Sequence, residues 1–260
     1  MKEDISILIN SCDKYSDVWE VFFPLFFRYW PDCPWQIYLG SNSKTYNHPR
    51  VINISVGDDL SWADSAKKMV ESIPTENFLF FLDDFFIFWK VNTDIVGHFY
   101  DIFKEIDANC LRLRNSPEID NIVPGYLEIV ERPRGEFNRV ALDIAFWKKS
   151  IFLLLLKPGE SPWQMENEGS KRSIVFDKFY TSKEWIIERR NGLEAGKWLR
   201  YNLDLLKREE IAIPSGHPVL SRKQDFFWNI RRTLYKFWIY RLIRRIKTKT
   251  SNCIKKVISK

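Results

Sequence analysis

The chain has 260 residues, room for one large α/β domain or two small ones with a sizeable core. Its longest apolar runs, Phe78–Leu82 and Ile151–Leu156, are too short to span a bilayer. The four cysteines, Cys12, Cys33, Cys110 and Cys253, form no CxxC pair and no framework spacing, which argues against zinc and disulfides and for reduced thiols in a cytoplasmic compartment.

Charge is unevenly spread. The formal net charge is +6, yet residues 222–260 hold 13 Lys and Arg against a single acid, Asp225, a net of +12 that leaves −6 on residues 1–221. The division expected is a globular domain over 1–221 and a basic tail over 222–260. Trp (11) and Phe (20) are abundant, and aromatics beyond what a core needs often line sugar or nucleotide sites.

In chain order, the start MKEDISILINS reads as charged and then strand-like, unlike a secretory signal. Ile5–Asn10 is a strand ending in Ser11, Cys12 and Asp13. Helical spacing over 17–29 places Val18, Phe22, Leu25, Phe26 and Tyr29 on one side. Strands follow over 35–39 and 51–56, then a helix over 62–72 with Ser61 or Asp58 as its cap and Pro74 beyond its end. Asp58, Asp59 and Asp64 all follow the third strand, where a donor substrate would approach. Helix capping and dipole pairing account equally well for Asp58 and Asp59. The run FLFFLDDFFIFWK (78–90) is the most informative stretch. Its apolar half reads as a strand buried on both faces, and Asp83 and Asp84 are tolerable only where that strand emerges. Open α/β sheets bind ligands at this carboxyl end, and adjacent acids there suit a hard divalent cation that holds substrate phosphates. A solvated turn is the plain alternative.

A helix over 94–106 and a strand over 110–113 come next, then a loop through Ser116-Pro117 and a strand over 126–131. The segments 140–146 and 151–156 frame a turn and helix, 157–163 is loop, 182–190 is extended and 194–209 is helical. Strands alternating with helices predict a mostly parallel central sheet with helices on both faces. Neither GxGxxG nor GxxxxGKS occurs, so no Rossmann dinucleotide site and no P-loop is indicated.

Taken together, Asn10-Ser11-Cys12-Asp13, Phe81-Leu82-Asp83-Asp84, the stretch from Ala141 to Trp147 with that from Lys157 to Glu166, and Gly192 to Leu199 resemble the GT-A-fold glycosyltransferases that build bacterial surface polysaccharides. The likeness covers roughly residues 5–210. It implies a GT-A-like α/β domain moving a sugar from a nucleotide-sugar donor, a UDP-sugar by expectation, onto a lipid-linked oligosaccharide. Ser11 and Asp13 would seat the nucleotide, Asp83 the ribose, and Asp84 an Mn²⁺ or Mg²⁺ ion. Phe85 stands where the usual motif has its second acid. Glu166 would be the base of an inverting displacement, with Glu168 in reserve. Asp143 belongs to the acceptor-side segment, and Trp163 is placed to stack on a sugar face. His217, near the end of the body, would be a late metal ligand.

The tail carries Phe227, Ile230, Leu234, Trp238, Leu242 and Ile246 at steps of three or four, interleaved with arginines. Such a basic amphipathic helix suits an anionic membrane surface, so a cytoplasmic protein peripheral to the membrane is expected, with no nucleic-acid partner. Two other classes stay open. One is a non-catalytic membrane- or nucleic-acid-binding protein acting through the tail. The other is a metal-dependent nucleotidyltransferase, which would release pyrophosphate.

Overall fold

The structure, a computed structural model, describes residues 4–58, 60–114, 121–230 and 233. Asp59, the Ser116-Pro117 loop and the tail beyond 230, apart from Thr233, lie outside the described residues. The chain divides into two compact units. The first is Met1–Gly192 with Ile211–Ser215, and the second is Leu193–Glu210 with the described residues from Gly216 onward.

The first unit is an α/β layer structure. In chain order its elements are β1 (Ile5–Asn10), α1 (Trp19–Tyr29), β2 (Gln36–Ser41), β3 (Val51–Ser55), α2 (Trp62–Ser72), β4 (Asn77–Leu82), β5 (Phe85–Phe86), α3 (Thr93–Glu105), β6 (Cys110–Arg112), β7 (Ile122–Val123), β8 (Tyr126–Glu131), β9 (Ala145–Lys148), α4 (Lys149–Leu155), α5 (Pro162–Arg172), β10 (Phe179–Ser182) and β11 (Arg190–Asn191). Among the described residues nine strands form one sheet in the order β3-β2-β1-β4-β9-β6-β10-β8-β7. β1 to β4 are mutually parallel, β6 and β10 are parallel, and β9 runs antiparallel between β4 and β6. The mostly parallel sheet expected from the sequence is therefore what the chain adopts.

Alternation along β4 explains both faces. Phe78 and Phe80 pack with Met69 and Val70 of α2, Phe152 and Leu155 of α4, Met165 of α5 and Trp147 of β9. Phe81 points the other way and meets Phe22 and Phe26 of α1 edge-on. On that same side Tyr100 and Phe103 of α3 lie against Phe146. A strand covered on both faces needs apolar residues throughout, which is why 78–82 shows no alternation of polarity.

Several elements differ from the sequence expectation. Residues 162–172 form helix α5, whereas the sequence reading ends its loop at 163 and places no helix there. A capping box starts it: Ser161 accepts from the Gln164 amide, the Gln164 side chain accepts from the Ser161 amide, and Pro162 opens the first turn. Of the helix expected over 194–209, only α6 (Leu203–Arg208) is α-helical. Before it stand a hairpin of β12 (Leu193–Glu194) and β13 (Lys197–Trp198) and a short 3₁₀ turn. Ala195 and Gly196 turn that hairpin with positive φ, 49° and 71°, which a helix does not allow. These elements belong to the second unit, as does a helical stretch over 222–230. Among the described residues no helix is long and apolar enough to cross a membrane.

Candidate active site at the sheet switch point

The sheet changes direction at β1. The chain steps outward from β1 to β2 and β3, then returns to place β4 on the other side of β1. The carboxyl ends of β1 and β4 thus lie at a topological switch point, where open α/β sheets take their ligands. Asn10 pairs with both Gly40 and Leu82, so the residues leaving the sheet there are Ser11 and Asp83. The Ser11 hydroxyl donates to the Asp83 carboxylate and accepts from the Trp19 indole N–H at 2.7 Å.

Asp83 is only 7% exposed. Burial, reinforced by the charge of Asp84, pushes its carboxyl well above the usual carboxylate range, against the lowering effect of the Ser11 and Trp19 hydrogen bonds. Asp84 is half-buried, and its carbonyl accepts the Gly192 amide at 2.6 Å. Tyr15 stands beside the pair. Burial raises its hydroxyl first, and the charges of Asp83, Cys12 and Asp84 raise it further.

Asp13 is occupied otherwise. Its carboxylate accepts the amides of Asn42, Ser43 and Lys44 at 2.9–3.1 Å and the Ser43 hydroxyl at 2.6 Å. Burial opposes these bonds, but together they hold the acid below its ordinary range. It fixes the loop after β2 against the turn after β1. Asp64 is similarly engaged at the start of α2. Ser61 caps the helix by accepting from the Asp64 amide, and the Asp64 carboxylate takes the Ser61 hydroxyl and the Gly159 amide at 3.1 Å. Gly159 has φ 81°, a left-handed conformation that lets its amide turn toward both groups.

A second cluster forms along the same edge. Register pairs Phe80 with Ala145, and Leu113 donates to Ile144, so Asp143 leaves the sheet abreast of both β4 and β6. Asp143 is buried and bound by two arginines: Arg189 through Nε and Nη2 at 3.0 and 2.7 Å, and Arg114 through Nη1 at 2.9 Å. Burial alone would raise its carboxyl; Arg189 and then Arg114 overcome that and hold it far below the ordinary range. Arg189 also lies over the Phe85 ring at 3.6 Å and bonds Asn191, which ties this cluster to the acid pair.

Glu166 projects from α5 toward the same group. Its Oε1 accepts the Leu142 amide at 2.8 Å, the sole hydrogen bond to this carboxylate among the described residues. Burial raises its carboxyl, the Leu142 amide opposes this, Asp143 adds to it, and Arg112 and Arg189 counter it. A carboxyl raised by burial, with a single hydrogen bond from the described residues, is suited to taking up a proton. Glu168, by contrast, is exposed and paired with Lys171 at 2.6 Å. Trp163, on the first turn of α5, is 70% exposed. His217 is buried within the second unit.

The structure therefore gathers Ser11, Asp83, Asp84, Asp143 and Glu166 on one edge of the first unit, while Asp13 and Asp64 brace the loops. The sequence reading missed Trp19, Arg112, Arg114 and Arg189. A signal existed for Arg112, a charged residue inside the otherwise apolar strand 110–113; Arg189 has none, because its partner is 46 residues away.

Among the described residues no group of three His, Cys, Asp or Glu is placed to hold a metal ion. Asp84 beside Asp83 nevertheless fits a cation that is completed by water and substrate phosphates, as Mg²⁺ commonly is. The like-charge pressure on Asp83 is what such an ion would relieve.

No protein-family model and no curated protein matches the chain. Solved structures with a similar course of chain include S. aureus TarS 1–349, at 10% identity and a TM-score of 0.48, with 72% of this chain and 59% of that one covered. A mannosyltransferase from Pyrobaculum calidifontis, in complex with GDP-Man and Mn²⁺, aligns at 10% identity and a TM-score of 0.49, covering 89% and 65%. A cytidylyltransferase from Leptospira borgpetersenii aligns at 10% identity and a TM-score of 0.44, covering 82% and 98%. The chain thus spans less than two thirds of the length of the first two.

Proposed function

We propose that the chain is a glycosyltransferase that takes its sugar from a nucleotide-sugar donor. The observation that carries this is the Ser11–Asp83 contact at the switch point of a parallel sheet, with Asp84 next to it and a shifted Glu166 on the same edge. In this reading Asp83, held by Ser11 and Trp19, orients the ribose. Asp84 would hold the Mn²⁺ or Mg²⁺ ion, which, when bound, neutralises charge on the diphosphate. Glu166 removes the proton of the acceptor hydroxyl with its open oxygen. That role is worth about 10²–10⁴-fold in rate, and direct attack by the hydroxyl inverts the sugar's configuration. Trp163 offers an exposed ring for stacking on an acceptor sugar. A lipid-linked acceptor and attachment to an anionic membrane face extend the proposal, supported by the basic tail and by the exposed Phe226, Phe227 and Ile230 at its start.

The test is thermal unfolding with a panel of nucleoside diphosphates and nucleotide sugars, with and without Mn²⁺, on the wild type, Asp84→Ala and Glu166→Gln. A ligand specific for the native state contributes about 2.7 kcal/mol at a hundred times its Kd. We expect one nucleotide to raise Tm with Mn²⁺, the effect to vanish in Asp84→Ala, and Glu166→Gln to keep binding while losing transfer. Absence of a shift with every nucleotide overturns the proposal. Release of pyrophosphate in place of a nucleoside diphosphate moves the protein to the nucleotidyltransferases.

A further inference from the structure

The arginines around Asp143 are more numerous than that one carboxylate needs. Arg112, Arg114 and Arg189 converge on an edge that holds two acids, Asp143 and Glu166. Arg189 is spent, with Nε and Nη2 on Asp143, Nη1 on Asn191 and its face on Phe85. Arg114 is not. Among the described residues its side chain makes one hydrogen bond, Nη1 to Asp143 at 2.9 Å, and it remains 47% exposed. Its guanidinium is nonetheless held in place, because its centre lies 5.1 Å above the indole of Trp185, itself 42% exposed. Behind it, Arg112 is 6% exposed, donates no side-chain hydrogen bond to a described residue and leaves its Nε buried without a partner. A buried N–H with nothing to bond is costly, and the positive charge of the same group, close to Asp143, adds to the attraction for an arriving oxyanion.

We propose that Arg114, oriented by Asp143 and Trp185 and backed by the charge of Arg112, is a binding site for a phosphate group. A guanidinium anchored through one nitrogen keeps the remaining edge of its fork for two parallel hydrogen bonds to phosphate oxygens. The site sits abreast of the acid pair on the carboxyl edge of the sheet, so the phosphate has two sources: the diphosphate of the donor, or a phosphate carried by the acceptor. The choice between these rests on the glycosyltransferase reading, whereas the phosphate site itself does not.

Titration calorimetry of the full chain tests it, with pyrophosphate, a sugar 1-phosphate and a nucleoside diphosphate as probes. The variants are Arg114→Ala, Arg114→Lys and Trp185→Leu. Arg134→Ala, which removes an exposed pair with Asp177 at another place on the surface, is the control. We expect Arg114→Ala to weaken pyrophosphate at least tenfold, Arg114→Lys to recover part of the loss, Trp185→Leu to weaken it several-fold, and Arg134→Ala to change nothing. Melting curves identify any variant that has lost its fold, and Arg114→Lys, which keeps the charge, then carries the comparison. Weaker nucleoside diphosphate binding in Arg114→Ala assigns the site to the donor. Weaker sugar 1-phosphate binding with an unchanged nucleotide assigns it to the acceptor. Phosphate probes that ignore the wild type, or bind it and Arg114→Ala alike, overturn the proposal. Phosphate binding that depends on Arg114 in a chain that ignores every nucleotide keeps this site and removes the glycosyltransferase reading.

Discussion

Asp83 is an acid held where ionisation is costly. Its folded-state carboxyl titrates above the ordinary 3.8, because burial and Asp84 both oppose the charge. Between that ordinary value and its own, the folded chain binds more protons than the unfolded one, so this group's contribution to stability falls as pH rises. Asp83→Asn removes the charge and leaves an oxygen for the Ser11 hydroxyl. It is expected to raise Tm at pH 8, with the gain shrinking as the pH is lowered toward 4; a gain that grows on acidification contradicts the burial argument. The two acids are legible from sequence because five apolar residues before them leave no cheap way to bury a charge. Arg114 and Arg189 are not, because each is defined by Asp143, 29 and 46 residues away, and nothing in their own neighbourhoods records that distance.

At the scale of elements, β5 and β11 form a two-residue pair that brings Arg189 and Asn191 to the acid pair. Gly192 closes it, with its amide on the Asp84 carbonyl, and a Cβ there would lie 2.3 Å from the Phe86 ring. Because the Phe86 ring is fully buried and has little room to yield, Gly192→Ala is expected to push β11 outward. A destabilisation of about 1–3 kcal/mol is expected from the overpacking, measured by denaturant unfolding. Nucleotide or phosphate affinity should fall as well, since Arg189 moves with the strand; unchanged affinity with lower stability would separate β11 from the site. Helix α5 shows the limit of periodicity. Its buried residues are few, Met165, Gly169 and Ser170, so the apolar rhythm that exposes α1 and α2 in the sequence is faint. Its start was written all the same, in Ser161, Pro162 and Gln164. The expected helix over 194–209 fails for the opposite reason: its residues favour a helix, but Ala195-Gly196 turn the chain back after two residues of strand.

For the first unit as a whole, the alternation of strand and helix is plain up to α3 and then weakens, because β6, β7, β9 and β10 are short and three of them, β6, β9 and β10, depend on partners far along the chain. The strand β9 is the case with most effect. It enters antiparallel between β4 and β6, and Asp143 and the route to Glu166 arrive with it. During synthesis, β1 to β4 and the acid pair therefore emerge from the ribosome before the strand that covers the free side of β4 exists. Until then β4 is an open edge of aromatic residues, a template for pairing with another chain. A chain ending at Ile144 should accordingly be insoluble, and one ending after α4 should be recovered in solution; equal solubility of the two would show that another segment guards that edge. Nascent chains that hold β4 and still lack β9 are the ones with most need of a chaperone, so the yield of this protein is expected to depend on how quickly the ribosome passes from residue 82 to residue 148.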